Sequence, residues 1–185
     1  MVSHMSAKIF SLLLALLFFT GCATQRIPFN ESEFSSLTVK GDKTVTGQVF
    51  LVDQLEEKQI GSNTEVTLQP VTSYSTQWYE VSYLGNRALK KADPRYNQYV
   101  LRTMTNPEGN FTFNGVAPGK YYLSGVVNWK AATCSGNVVQ TKVPISLKIT
   151  VDGNDSTKVV PLTKEFVSPT EICGLYNQSD WQKAN

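Results

Sequence analysis

Histidine is almost absent from this 185-residue sequence, and its absence excludes several kinds of catalytic site. The single histidine, His4, lies at the extreme N-terminus, in a segment that we expect to be removed from the mature chain. A chain without histidine cannot form Ser-His-Asp or Cys-His catalytic sites, or a zinc site with histidine ligands. The sequence also lacks P-loop, GxGxxG, GxSxG and EF-hand motifs. We therefore expect a protein that is not an enzyme and has neither a cofactor nor a metal.

A strong charge of either sign is lacking as well. Lys and Arg number 17 against 15 Asp and Glu, which leaves a formal net charge of +2. Such a chain has no electrostatic footprint for nucleic acid, so we expect no nucleic-acid partner. With 41% hydrophobic and 17% charged residues, the composition is that of one globular domain.

No apolar run is long enough to cross a membrane as a helix. The run that follows Lys8, Ile9–Phe19, has 11 residues, whereas a bilayer-spanning helix needs about 20. Its length suits the apolar part of an export signal. The run ends in Thr20-Gly21-Cys22, where small residues would admit a peptidase and the cysteine would supply a thiol.

This ending resembles the lipobox of bacterial lipoproteins, although Phe19 stands where leucine is typical. The resemblance implies a signal peptide over residues 1–21 and a new N-terminus at Cys22 that carries acyl chains such as palmitate. Ala23 replaces the aspartate that retains such proteins at the inner membrane. The implied location is the periplasmic face of the outer membrane. An ordinary cleaved signal with a chance cysteine is the alternative.

Two cysteines then remain, Cys134 and Cys173. In an oxidising compartment such a pair predicts one disulfide. It would close a loop of 38 intervening residues, which stabilises the fold by roughly 4 kcal/mol in the chain-entropy model. A free thiol or a metal site is the alternative, although no histidine remains to support either.

The mature chain divides into three parts by composition. Residues 22–42 are polar and predict a flexible tether that holds the domain away from the membrane. Docking of Phe29, Phe34 and Leu37 on the domain is the alternative. Residues 43–163 carry the strand pattern, and residues 164–185 form a less regular tail that Cys173 would pin to the domain.

Alternation of apolar and polar residues predicts about seven short strands. Ile145, Leu147, Ile149 and Val151 give the clearest case, and similar patterns begin at residues 45, 66, 99, 111 and 121. Turn residues at 106–110 and 152–155 predict two hairpins, with strands 145–151 and 157–162 flanking the second. Only Ser73–Lys91 has a weak helical pattern, which Asp93-Pro94 would end. The pattern favours an all-β antiparallel sandwich or small barrel.

The segment 105–123 resembles the carboxypeptidase regulatory-like domain family. The matching residues are Gly109, Phe111, Phe113, Val116, Pro118, Gly119, Tyr121 and Leu123, with Asn106 at a position that is usually aspartate. Residues 46–49 match the family's opening strand. The resemblance implies a seven-stranded sandwich of the transthyretin (prealbumin) type. Its residues have structural roles, so it implies no catalytic chemistry.

Aromatic and basic residues between the strands provide the candidate binding surface. Tyr74, Trp78 and Tyr79 lie in a predicted loop, and a basic run with Arg87, Lys90 and Lys91 follows. Such rings could stack on a sugar or hold a partner, or they could cap an open edge of the sandwich. We therefore expect a non-catalytic, lipid-anchored interaction or structural module of the cell envelope, whose partner is an envelope protein. A glycan-binding module is the alternative, and an enzyme that uses carboxylates alone is a third hypothesis.

Overall fold

The computed structural model of the protein describes residues 23–38, 40–52, 58–132 and 138–165. The predicted signal peptide, the lipid-bearing Cys22, the Cys134–Cys173 pair and most of the predicted tail lie outside these residues.

Eight strands and three short helical segments lie within the described ranges. The strands are β1 (Lys40–Val52), β2 (Lys58–Ile60), β3 (Glu65–Pro70), β4 (Leu101–Met104), β5 (Asn110–Val116), β6 (Gly119–Ala132), β7 (Val138–Val151) and β8 (Thr157–Glu165). The helical segments are α1 (Glu31–Ser35), α2 (Ser73–Trp78), which continues as a π-helix (Tyr79–Leu84), and a 3-10 helix (Pro94–Tyr99). The prediction of seven strands is therefore wrong by one, since three-residue β2 is too short to show an alternating pattern.

The strands form two sheets. In the first, β8 pairs in parallel with β1 from Thr44↔Thr157 to Val52↔Glu165. Strands β5 and β2 pair antiparallel with successive parts of β1. The second sheet has the order β4-β3-β6-β7 and is antiparallel throughout. The chain is thus all-β as predicted, with one parallel pairing that the sequence pattern did not reveal.

Apolar faces of both sheets meet in one core, as the alternation predicts. The largest fully buried members come from β1, β3, β5, β6, β7 and β8: Val45, Val49, Leu51, Val66, Leu68, Phe111, Val116, Leu123, Ile145 and Leu162. Gly47 lies among them on β1, where a Cβ atom would come within 1.8 Å of the Val160 carbonyl oxygen. Only glycine permits this close approach of β1 and β8.

Neither of the two predicted hairpins forms. The turn at 106–110 has the expected chemistry, because Asn106 Oδ1 accepts from the Asn110 amide at 2.8 Å and Gly109 has a φ of +78°. Its two flanking strands belong to different sheets, however, since β4 pairs with β3 and β5 pairs with β1. Residues 152–155 likewise connect β7 in the second sheet to β8 in the first. Turn residues mark where a strand ends, but not which sheet the next strand joins.

The segment 23–38, predicted as a tether, packs on the domain through its aromatic residues. Phe34 on α1 is 1% exposed. With Tyr74 and Tyr96 it forms a second apolar cluster, against which Phe29 and Leu37 pack. This is the docked alternative that the aromatic residues of the segment suggested.

Polar contacts also hold the segment in place. The Glu33 carboxylate accepts from the Ser73 amide at 2.7 Å and from its hydroxyl at 2.6 Å. Arg95 forms ion pairs with Glu31 and Asp93. Hydrogen bonds from the Arg95 side chain and backbone lower the pKa of Asp93 to about 2. Ser73 at the start of α2 and Arg95 in the 3-10 helix therefore both anchor the N-terminal segment.

Candidate functional site

A short helix covers the outer face of the second sheet, and its first turn is tightly capped. The Thr72 hydroxyl accepts from the Ser75 amide at 3.1 Å, and the Ser75 hydroxyl accepts from the Thr72 amide at 2.9 Å. The Ser75 hydroxyl also donates to the Pro70 carbonyl at 2.7 Å. This capping box fixes the start of α2 directly after β3.

Aromatic side chains attach the rest of the helix to the sheet. Tyr79 stacks on Tyr122 of β6, with ring centroids 4.5 Å apart and an interplanar angle of 19°. Thr76 and Tyr122 share a hydroxyl hydrogen bond of 3.2 Å. Burial and the neighbouring phenols of Tyr83 and Tyr122 raise the pKa of Tyr79. The helix is therefore a fixed part of the domain.

The π-helix places two further rings side by side. Trp78 and Tyr83 are five residues apart and stack, with centroids 6.4 Å apart and an interplanar angle of 23°. A π-helix bonds residues i and i+5, as the Gly85 amide does to the Glu80 carbonyl at 2.9 Å. Such turns occur frequently at functional sites. Trp78 and Tyr83 thus form an aromatic pair beside the outer face of the sheet.

Two pockets share Trp78 as a lining residue. The first, which we call the arginine pocket, has a volume of about 260 Å³. Its lining residues are Arg26, Thr67, Gln69, Trp78, Ala92, Tyr96, Asn97, Val100 and Arg102. The Tyr96 hydroxyl donates to Gln69 Oε1 at 2.7 Å, which orients the amide within the pocket. Polar side chains from four separate segments converge here.

The second, which we call the apolar pocket, has a volume of about 250 Å³. Its lining residues are Thr64, Glu65, Thr67, Trp78, Tyr83, Ser124, Gly125, Val126, Pro144 and Ile145. Thr67 and Trp78 line both pockets, so the two are neighbours along one groove. Each is slightly smaller than the range of about 300–1,000 Å³ that is usual for sites of drug-sized ligands.

The structure divides the predicted aromatic surface. Tyr74 is 2% exposed and its hydroxyl accepts from the Asp93 amide at 2.7 Å. The prediction that Tyr74 belongs to a binding surface is therefore wrong. It packs in the second cluster because it lies on α2 rather than on a loop. Tyr79 is half-buried against Tyr122 and lines neither pocket. Trp78 alone of the three lies in the groove.

The predicted basic residues lie outside both pockets. Arg87, Lys90 and Lys91 are exposed, and none of them is among the lining residues. The backbone of Lys90 nevertheless takes part in the site's architecture, because its carbonyl accepts from Arg26 Nε at 2.9 Å. The basic run thus supports the groove through its main chain.

The sequence prediction missed Arg26, Arg102, Thr67 and Asn97, all of which line the groove. Thr67 and Arg102 occupy polar positions of an alternating pattern, which normally point to solvent. They line a groove here because the helix covers that face of the sheet. The sequence feature that could have indicated Thr67 and Arg102 is an aromatic-rich helical segment next to strands with a polar face.

Within the part of the chain that the structure describes, no group of three or more His, Cys, Asp or Glu residues could hold a metal ion. No helix in the described ranges has the length and apolar character to cross a membrane.

Solved structures of other proteins resemble this chain. No family model matches the chain, and no curated protein matches it either. Two enzymes align at 12% identity with a TM-score of 0.31, which is too low to support any argument. The alignment with a 9R-lipoxygenase from Cyanothece covers 91% of this chain and 21% of the lipoxygenase. The alignment with an (S)-allantoin synthase covers 68% of this chain and 42% of the synthase. PA1324 from Pseudomonas aeruginosa, a candidate carbohydrate-binding protein, aligns at 27% identity with a TM-score of 0.65. The alignment covers 75% of this chain and 99% of PA1324, so the similarity extends over nearly the whole length of PA1324.

Proposed function

We propose that the protein binds carbohydrate in the groove formed by the arginine pocket and the apolar pocket. The observation that carries this proposal is the stacked Trp78–Tyr83 pair, in which Trp78 lines both pockets and Tyr83 lines the apolar pocket. An aromatic ring offers a flat apolar surface to the C–H face of a pyranose, while polar groups around it bond the hydroxyls. The groove thus has both parts of a sugar-binding site.

The polar lining supplies the hydrogen bonds that a sugar needs. Thr67, Gln69 and Asn97 face the arginine pocket, and hydroxyl and amide groups can both donate and accept. Two neighbouring pockets of similar volume that share Trp78 suit two consecutive sugar rings. The ligand class is therefore an oligosaccharide.

The site is formed in advance of binding. Helix α2 is capped by Thr72 and Ser75, and Tyr79 is stacked on Tyr122. A preformed site lowers the ordering cost of association. The similarity to PA1324 supports the same function, since that protein is itself a candidate carbohydrate-binding protein.

The proposal places this binding module in the cell envelope as a non-catalytic, lipid-anchored protein. Support comes from the sequence, in which an apolar run typical of an export signal ends in small residues directly before Cys22. Metabolic labelling with palmitate tests it: the wild-type chain should take up label and Cys22→Ser should not. Equal labelling of both would exclude Cys22 as the lipid site.

A glycan array with the purified protein tests carbohydrate binding. We expect at least one oligosaccharide to bind, and Trp78→Ala to weaken it roughly 30-fold or more, the size of a hot-spot loss of 2 kcal/mol. Trp78→Phe, which keeps an aromatic ring, should retain more affinity than Trp78→Ala. Isothermal titration calorimetry measures each affinity, and thermal melting shows whether each variant is folded.

Phe50→Ala is the matched control, because this half-buried ring lies on β1 of the other sheet and lines neither pocket. It should bind the glycan like the wild type. Failure to bind any glycan, or equal binding by folded Trp78→Ala, would refute the proposed site.

A further inference from the structure

The charges that line the groove are unevenly distributed. The arginine pocket has two guanidinium groups, those of Arg26 and Arg102, and no carboxylate among its described lining residues. The apolar pocket has one carboxylate, that of Glu65, and no cationic group among its described lining residues. One end of the groove is therefore positive and the other is not.

Arg26 is held in place from three directions. Its Nε donates to the Lys90 carbonyl at 2.9 Å, and its guanidinium lies 4.8 Å from the centre of the Tyr74 ring. The residues on both sides of it bond to Gln77: the Ile27 amide donates to Oε1 at 2.9 Å, and Nε2 donates to the Gln25 carbonyl at 3.0 Å. The contacts of Arg26 itself use Nε and one face of the planar guanidinium. Among the described residues, no hydrogen bond is recorded for its two terminal nitrogens.

Arg102 lies on β4 and is oriented by a neighbouring carboxylate. Its Nη1 donates to Glu65 Oε1 at 2.8 Å, in an ion pair whose side chains are about half exposed. That is the one hydrogen bond recorded for its guanidinium within the described ranges, so the remaining N–H groups can face a ligand. A guanidinium presents its donors in a planar fork that matches a carboxylate.

We propose that the oligosaccharide is acidic, with a uronic-acid-type residue in the arginine pocket and a neutral sugar ring in the apolar pocket. This inference rests on the proposed carbohydrate function and adds the charge of the ligand and its orientation in the groove. The acid group is bound between Arg26 and Arg102. The reverse orientation would place the acid in the apolar pocket, which has no cationic group among its described lining residues, and away from Arg26.

Calorimetry on the purified full chain with a matched set of probes tests the inference. The set contains oligosaccharides of glucuronic, galacturonic and mannuronic acid, their methyl esters, and the corresponding neutral sugars. We expect at least one acidic oligosaccharide to bind ten times more tightly than its ester and its neutral counterpart. The difference should shrink as salt rises, because salt screens exposed charges.

Variants separate charge recognition from general damage. Arg102→Gln should reduce the preference for the acid over the neutral sugar to less than threefold. Glu65→Gln breaks the same ion pair but keeps the guanidinium, so it should retain the preference. Arg87→Gln removes an exposed arginine outside both pockets and should also retain it.

The outcomes distinguish this inference from the function on which it rests. Equal affinity for acidic and neutral probes, or full preference in Arg102→Gln, would overturn the acidic ligand and leave carbohydrate binding intact. Equal loss of preference in Glu65→Gln and Arg102→Gln would also overturn it, since the effect would then be structural. No binding by any sugar on the array or in the probe set would overturn both.

Discussion

Replacing Phe34 by alanine should detach the N-terminal segment from the domain while leaving the sandwich folded. The ring is 1% exposed and stacks on Phe29 at 4.5 Å, with Tyr99 and Tyr96 at 4.8 and 5.7 Å. Deleting a buried phenylalanine typically costs about 3–5 kcal/mol. This ring belongs to the second cluster and not to the core between the sheets. The loss should therefore appear first as local opening.

Hydrogen exchange followed by mass spectrometry measures that opening. The Leu37 amide bonds to the Phe34 carbonyl and the Thr24 amide bonds to the Ala88 carbonyl. A loss of 3–5 kcal/mol speeds exchange at such amides by on the order of 100- to 1,000-fold or more, up to the limit of full detachment. Amides of β6 and β7 should exchange at nearly the wild-type rate.

Leu84→Ala is the control, since Leu84 is an apolar residue that is 60% exposed. It should leave exchange in residues 24–37 unchanged. Unchanged exchange in Phe34→Ala would refute the reasoning, because it would mean that the ring does not hold the segment. Detachment also carries Arg26 out of the groove, so Phe34→Ala should lose preference for an acidic sugar.

Two further predictions concern the sandwich and its acid sensitivity. Gly47→Ala should destabilise the fold by about 3 kcal/mol or more in urea unfolding, because its Cβ would clash with the Val160 carbonyl at 1.8 Å, whereas Gly153→Ala, with its nearest neighbour at 4.0 Å, should be nearly neutral. A wild-type-like midpoint for Gly47→Ala would contradict the close approach of β1 and β8. The pKa of Asp93 is lowered from 3.8 to about 2, so its carboxylate stabilises the fold above about pH 4 and the contribution is lost as pH falls towards 2. Asp93→Asn should therefore lose less thermal stability than the wild type between pH 5 and pH 2.5, and equal losses in the two proteins would exclude Asp93.

The sequence predicts the strands of this protein better than their partners. The alternation at Val45, Val49 and Leu51 and at Val66 and Leu68 reports which face of a strand is buried, and all five side chains are fully buried. Pairing depends on contacts between distant segments, which no local pattern records. The parallel pairing of β8 with β1 was missed for that reason.

The candidate site was predicted only in part because its walls come from distant segments. Trp78 stands out in the sequence as an aromatic residue between strands. Arg26 and Arg102 lie 76 residues apart and line one pocket because the N-terminal segment docks on the helical segments between β3 and β4. Tyr74 looked equally suited to binding, but its ring packs against Phe34 and Tyr96 in the second cluster.

The docked N-terminal segment limits how far the groove can lie from a membrane. An unattached chain from residue 22 to 42 could extend to about 70 Å at full stretch. Arg26 lines the groove and is only four positions from Cys22 in the sequence, a span of at most about 14 Å. If Cys22 carries the acyl chains that the sequence predicts, the groove operates beside the bilayer surface. A glycan bound there would have to reach the membrane, since the protein itself cannot extend to meet it.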